Sequence, residues 1–547
     1  MPSQSYTAVR DTFTWQIPEF FNFGVDVVDH WAKAADGPAL IWENHAGESA
    51  AYRFSDIARL TDRLAGALQA RGITRGDRVI ILLPRIPAWP ISMVAVLKIG
   101  AVPIPCVEML SVDDLAFRIE NSGARGVICC APQVPKLAGM AEHLPARLAV
   151  GGAPGWDDFE RTIEDANDQF QSATVAANEP AMMYYTSGST GHPKGVVHAA
   201  RALYAWRGSA KFWLDLSPAD RIWCTADTGW SKAGTSILFG PWSLGACAFL
   251  FDGRFVPAQR LQMLAKHRIT VFCAPATEFF RVLEEKLDQF DLRALRRTVS
   301  AGEAVNPTLA ERWERATGLK IAEAYGQTEA LMLALNIAGE PIKYGSMGLP
   351  APGCDVDIVD VRGNRCADGQ EGVIALRLPN PQSMLGYWQD EERTHACILQ
   401  GPEGPWYLTG DRGRRDAEGY LWFAGRDDDL INSAGYRIGP VEVEDVLLKH
   451  PAVQECAVVG VPDIERGEIV KAFVVLRAGH VGSAALAMAL QAHAKALTAP
   501  YKYPRQVEFV DELPRTPNGK LQRRVLRDRR ATAAGQATRQ RSPPNSL

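Results

Sequence analysis

The run Thr186-Ser187-Gly188-Ser189-Thr190-Gly191-His192-Pro193-Lys194-Gly195 places hydroxyls, glycines and one lysine directly after an apolar stretch at 181–185. Glycines let a backbone approach a ligand closely. Exposed amides, hydroxyls and an ammonium group then cradle phosphate oxygens. A P-loop requires Gly-Lys followed by Ser or Thr, whereas Lys194 is followed by Gly195. The run is therefore a phosphate-binding turn of another kind, and its order and density set it apart from a Ser/Gly-rich surface loop.

Such a turn needs rigid elements to present it. Short β-branched runs alternate with longer amphipathic segments through most of the first four hundred residues. Strands are expected at 78–83, 102–106 and 126–130, with helices at 88–99 and 113–121 between them. Further strands are expected at 181–185, 246–251, 269–273, 298–301 and 320–324. This rhythm predicts an α/β fold, a large N-terminal domain of parallel-rich sheets covered by helices. Beyond Gly410 glycines punctuate short strands and turns. A helix (441–450), strands (452–461, 470–477), a helix (484–496) and a strand (506–510) follow, predicting a small α+β domain. Arg426-Asp427-Asp428-Asp429 suits a hinge, which gives 1–427, 428–530 and a small, polar tail at 531–547 expected to be disordered.

Composition narrows the partners. At 547 residues the chain exceeds one hydrophobic core. A net charge of -4 argues against a nucleic-acid partner and leaves small molecules. The ten cysteines show no CxxC pairing, so they read as reduced and mostly buried. Residues 1–14 carry no basic start followed by an apolar run, and no stretch reaches the ~20 apolar residues that cross a bilayer. No membrane partner is expected, and the location expected is cytoplasmic.

On the 186–195 run the chain resembles the adenylate-forming superfamily of acyl-CoA synthetases. Ser300-Ala301-Gly302-Glu303-Ala304, Tyr325-Gly326-Gln327-Thr328-Glu329, Tyr407-Leu408-Thr409-Gly410-Asp411, Gly425-Arg426-Asp427-Asp428 and Pro514-Arg515-Thr516-Pro517-Asn518-Gly519-Lys520 are similar to its other motifs, in order. The resemblance implies ATP, Mg2+ and coenzyme A as cofactors, and a carboxylic acid activated as its adenylate before transfer to the CoA thiol. Bringing a carboxylate to the α-phosphate sets anion against anion, so the site must supply positive charge and geometry. By resemblance Lys520 supplies that charge and Glu329 holds Mg2+. ATP and AMP are assigned to Thr186, Ser187, Gly188, Ser189, Thr190, Gly191 and Lys194, to Gly302, Glu303 and Ala304, and to Tyr325, Gly326, Gln327 and Thr328. Asp411 would accept from the ribose hydroxyls, and Arg426 and Arg437 would meet phosphate or ribose oxygens, with surface ion pairs as their alternative.

The family's small domain is understood to rotate between half-reactions, and Asp428 is the expected pivot. Ala434, Gly435 and Tyr436 resemble the strip lining the pantetheine tunnel. Arg466, Tyr503, Pro504 and Arg505 are candidates for the nucleotide end of CoA, ordinary surface basic residues being the alternative. Arg523, Arg524, Arg527, Arg529 and Arg530 are expected to form a solvated helix face.

Trp223-Cys224-Thr225-Ala226-Asp227-Thr228-Gly229-Trp230 resembles the acetyl and medium-chain branch, and 499–504 the medium-chain branch. Acetate-specific relatives carry a tryptophan where this chain has Gly326, so the glycine is expected to open an acyl pocket for a longer apolar acid. Trp230, Leu331 and Met332 would line it, or simply belong to the core. The alternative activity is a ligase that loads an acyl or aryl group onto a carrier protein. A silent nucleotide or acyl-CoA sensor is disfavoured by the presence of Lys520, Glu329 and Asp411.

Overall fold

The computed structural model describes residues 6–167, 169–186, 193–426, 429, 431–433, 436–463, 466–498, 502–515 and 521–528. By contacts the chain forms two compact units. The first comprises Met1–Asp357, Ala375–Tyr407 and Glu418–Leu421; the second comprises Ile358–Ile374, Leu408–Ala417 and Trp422–Leu547. The expected tail at 531–547 lies outside the described residues.

In the first unit a nine-stranded sheet runs in the order Leu349–Pro350, Leu331–Leu335, Ile321–Gln327, Arg297–Ala301, Val271–Cys273, Arg221–Cys224, Cys247–Asp252, Pro38–Asn44 and Ser49–Arg53. The six strands from Ile321–Gln327 to Pro38–Asn44 are mutually parallel. Helices Pro257–Lys266, Ala276–Val282 and Pro307–Thr317 cover one face, and Trp223, Phe272, Phe279 and Trp313 fill the space beneath them. A second, all-parallel sheet orders Val102–Pro105, Arg78–Leu82, Gly126–Cys130, Ala146–Val150 and Asp157–Asp158. Buried parallel strands read as near-continuous apolar runs, which is why Arg78–Leu82, Val102–Pro105 and Gly126–Cys130 were legible as strands, whereas Ala146–Val150 and Asp157–Asp158 were not expected.

Helix Ala88–Ile99 is buried along its whole length. Lys98, fully buried, is neutralised by Asp29 at 2.7 Å and Asp62 at 2.6 Å, as a buried ammonium requires. The lysine stem packs so close to Gly24 that a β-carbon there would lie 2.3 Å from Lys98 Cγ. A third sheet, antiparallel, joins Gly386–Tyr387, Lys194–Ala199 and Pro180–Thr186.

In the second unit, strands Tyr436–Ile438, Ile431–Ser433, Gly467–Leu476 and Val453–Asp463 form a sheet, with Gln506–Phe509 parallel to Gly467–Leu476. Helices Pro440–Leu447 and Ala484–Leu497 close its core around Val443, Leu447, Val458, Val474 and Leu490. The arginines expected on a solvated helix face are not free there. Arg523 reaches Glu444 at 2.6 Å and Asp429 at 3.8 Å, and Arg527 also bonds Asp429. Arg524, by contrast, is exposed and lies 3.7 Å from Asp528. Arg529 and Arg530 lie outside the described residues. The correction has a physical cause: acids distant in sequence supply counter-charges that a helical spacing cannot reveal.

Candidate active site

The strands on either side of the glycine-rich run, Pro180–Thr186 and Lys194–Ala199, pair antiparallel. Thr186 ends one strand, Lys194 begins the next, and the two face each other in register. Ser187, Gly188, Ser189, Thr190 and Gly191 lie outside the described residues. Gly195 is held between neighbours, since a β-carbon would meet Trp388 Cβ at 3.1 Å and Met183 Sδ at 3.2 Å.

Tyr325, Gly326 and Gln327 end the strand Ile321–Gln327, and Thr328 and Glu329 follow in the turn. Three contacts fix that turn. His198 Nε2 donates to the Thr328 carbonyl at 2.7 Å, the Met384 amide donates to the Glu329 carbonyl at 2.8 Å, and the Ser231 and Thr328 hydroxyls meet at 3.2 Å. Burial drives the His198 ring down to about 4, so it serves as a neutral donor. Tyr407 donates from its hydroxyl to Gln327 Oε1 at 2.8 Å.

The Glu329 carboxylate faces the start of strand Lys194–Ala199. Lys194 Nζ lies 3.6 Å from Glu329 Oε1. Tyr387 Oη donates to that same oxygen at 2.9 Å and accepts from Lys194 Nζ at 3.2 Å. Burial first, then the Glu329 charge, pushes the Tyr387 phenol far above its usual range, so the hydroxyl keeps its proton. Tyr387 was missed from sequence. Its Gly386-Tyr387-Trp388 context carries no chemical signature, and only the pairing of Gly386–Tyr387 with Val197 and Val196 brings it in.

Gly302, Glu303 and Ala304 form the turn after strand Arg297–Ala301. Gly302 has φ +96° and open space where a β-carbon would stand, which suits close approach of a flat ligand. Glu303 Oε1 accepts from the Thr277 amide at 3.3 Å. Lys232 Nζ donates to the Ala301 carbonyl at 2.8 Å.

The acyl-pocket expectation at Gly326 is corrected. A β-carbon there would lie 1.7 Å from the Leu331 carbonyl oxygen and 2.9 Å from Met332 Cα. The pairing register shifts between Tyr325 and Gly326, and Leu331 adopts φ +56°. The glycine thus admits a neighbouring backbone, and the volume is already filled. Leu331 is 3% exposed. Trp230 is partly exposed, and its indole N–H, itself buried, has no hydrogen-bond partner among the described residues.

In the second unit Asp411 is buried, its amide donating to Thr409 Oγ1 at 3.1 Å, and Arg426 Nε lies 4.0 Å from its carboxylate. Arg437 pairs through its backbone with Asn432, and Tyr436 with Ser433, the residues between them in sequence being Ala434 and Gly435. Those two, like Asp428 and Lys520, fall outside the described residues. The Arg466 amide donates to Asp463 Oδ1 at 3.0 Å. Beside Pro504, Arg505 donates to the Tyr503 hydroxyl at 3.0 Å and lies 4.9 Å from the ring centroid.

Among the described residues no group of three or more His, Cys, Asp or Glu gathers in a way that could hold a metal ion. That fits Mg2+, which takes one or two carboxylates and completes its shell with water and substrate phosphates. Glu329 can supply such an oxygen, since among the described residues both contacts to its carboxylate fall on Oε1.

Residues 27–388 match the AMP-binding enzyme family, and 442–520 match the AMP-binding enzyme C-terminal domain. The acyl-coenzyme A synthetase ACSM3, mitochondrial, of Homo sapiens is 41% identical over 96% of this chain and 92% of its own length. The uncharacterized acyl–CoA ligase YtcI of Bacillus subtilis (strain 168) is 40% identical over 92% of this chain and 95% of its own. The crystal structure of the anthranilate CoA ligase AuaEII with anthranoyl-AMP superposes with a TM-score of 0.86 at 31% identity, covering 95% of this chain and 99% of that one. This chain belongs to the family of AMP-binding enzymes.

Proposed function

We propose that this chain is an ATP-dependent acyl-CoA synthetase. It joins a carboxylic acid to AMP, releases pyrophosphate, and passes the acyl group to the thiol of coenzyme A. The observation that carries the reading is Lys194 beside Glu329, at the start of the strand that follows the glycine-rich run. An ammonium for phosphate oxygens and a carboxylate for the accompanying cation stand together there. Glu329 would hold Mg2+ together with the triphosphate, and the bound cation would supply charge neutralisation at the phosphates. Thr186 and Lys194 flank the phosphates, Tyr325 stacks on adenine, and the Gly302–Ala304 turn meets its edge. Asp411 accepts from the ribose hydroxyls, with Arg426 and Arg437 on neighbouring oxygens.

Two half-reactions need two sets of residues. Lys520 serves adenylation. Ala434, Gly435 and Tyr436 line the path of the pantetheine, and Arg466 and Tyr503–Arg505 receive the nucleotide end of CoA. Asp428 is the pivot between them, dividing the chain at 427/428. The acid is of medium chain length or of similar apolar bulk, and Trp230 and Leu331 stand beside it. The anthranilate ligase among the relatives supports an acid larger than acetate.

No described helix is long and apolar enough to cross a membrane. The reading places the enzyme in the cytoplasm; cell fractionation tests that against the mitochondrial location in the human relative's name. The activity is tested by an acid panel from acetate through decanoate and benzoate, with CoA and a phosphopantetheinylated carrier protein as alternative acceptors. Thioester on CoA with the longer acids supports the proposal; product on the carrier alone rejects it.

A further inference from the structure

The mechanism above uses Lys194 and Glu329 but leaves open how a cation and an anion so close together stay available for other partners. Two opposite charges this near attract strongly, and a direct contact would tie up the carboxylate. Tyr387 closes a triangle with them. Its hydroxyl accepts from Lys194 Nζ at 3.2 Å and donates to Glu329 Oε1 at 2.9 Å, while the two charges remain 3.6 Å apart. Lys194 Nζ also lies 4.6 Å from the centroid of the Tyr387 ring, a cation–π distance that holds the ammonium on the phenol. The Cys397 thiol is a distant further neighbour, 4.0 Å from the hydroxyl.

The segment that carries Tyr387 is built to place it. The Met384 amide bonds the Glu329 carbonyl at 2.8 Å, the Leu385 amide bonds the Val197 carbonyl at 2.7 Å, and the Trp388 amide bonds the Gly195 carbonyl at 2.7 Å. Residues 384–388 therefore stitch the Glu329 turn to the strand that begins with Lys194. Tyr387 itself is only 7% exposed. Among the described residues both contacts to the Glu329 carboxylate fall on Oε1, which leaves Oε2 for another ligand.

We propose that Tyr387 is a positioning residue of the magnesium–ATP site: its hydroxyl keeps Lys194 from closing on Glu329 and presents Glu329 Oε2 to the cation. The inference rests on the reading of this chain as an ATP-dependent synthetase and assigns a role to a residue outside every motif used for that reading. Without the hydroxyl, Lys194 contacts Glu329 directly and competes with Mg2+ for the carboxylate.

The test is Tyr387→Phe, with ATP affinity measured by titration calorimetry on the full chain, with saturating Mg2+ and with EDTA. Loss of a hydrogen bond to a charged group weakens binding about ten-fold. The expected result is a loss of about that size with Mg2+ and little change in EDTA, together with a raised Mg2+ requirement. Lys194→Met in the Tyr387→Phe background removes the competing cation and recovers Mg2+ dependence near that of Lys194→Met alone. Equal weakening with and without Mg2+ overturns the inference, as does an unchanged Mg2+ requirement. Failure of the unsubstituted chain to bind ATP under either condition sinks the synthetase reading instead, so the two failures are distinct.

Discussion

Arg523 grips Glu444 with one nitrogen: Nη2 lies 2.6 Å from Oε2 and 2.8 Å from Oε1. Glu444 Oε1 also accepts the Val458 amide at 2.7 Å, so one carboxylate ties helix Pro440–Leu447 to strand Val453–Asp463 and to the segment after Lys520. Burial works against the Arg523 charge, but Glu444 and then Asp429 outweigh it and raise the guanidinium further. Removing one partner of such a pair strands the other charge, at a cost of about 3 kcal/mol or more. Arg523→Leu should accelerate amide hydrogen exchange through Val453–Asp463, while Arg524→Leu should not. Equal exchange in both variants would mean the pair carries no stability.

Gly326 makes a second prediction. Gly326→Trp should unfold or precipitate the protein rather than convert it to an acetate enzyme, because the Leu331 carbonyl already occupies the β-carbon's place. Even Gly326→Ala should cost several degrees of melting temperature, since backbone cannot yield as a side-chain tip does. A well-folded Gly326→Trp enzyme with improved acetate turnover would restore the pocket interpretation.

Asp220 sets a pH limit. Burial alone would raise its carboxyl, but Arg296 and the Thr270 and Ser217 hydroxyls outweigh burial and hold it down at about 2. A carboxylate depressed on folding contributes stability fully above its unfolded value near 4 and loses it as pH falls through the folded value. The contribution, about 2 kcal/mol, should fade between about pH 4 and pH 2. Asp220→Asn should therefore be less stable at pH 7 and converge on the parent at the acid end, as denaturant titrations would show. A constant difference across that range would remove Asp220 from the account.

Lys520→Ala separates the half-reactions. It should nearly abolish adenylate formation yet spare thioester formation from supplied acyl-adenylate. Equal loss in both would end the assignment of Lys520 to the first step alone.

The α/β architecture was legible because buried parallel strands announce themselves as apolar runs: Gly126–Cys130 and helix Ala88–Ile99 fall at the bounds expected. The strand pairing on either side of the glycine-rich run was only half legible. Tyr387 is 193 residues from Lys194, and two residues of strand carry no periodicity from which to read a pairing. Gly326 misled for a related reason. A glycine in a strand signals either empty space or a close backbone, and only the register shift opposite Leu331 decides between them. The arginine face misled because its counter-charges, Glu444 and Asp429, come from elements distant in sequence.

The central claim is that this protein uses ATP to activate an organic acid. Pyrophosphate release should be followed with Mg2+, ATP, CoA and a panel of carboxylic acids. Release should depend on the acid, be matched mole for mole by AMP and acyl-CoA, and be abolished in Glu329→Gln. Absence of pyrophosphate with every acid would contradict it.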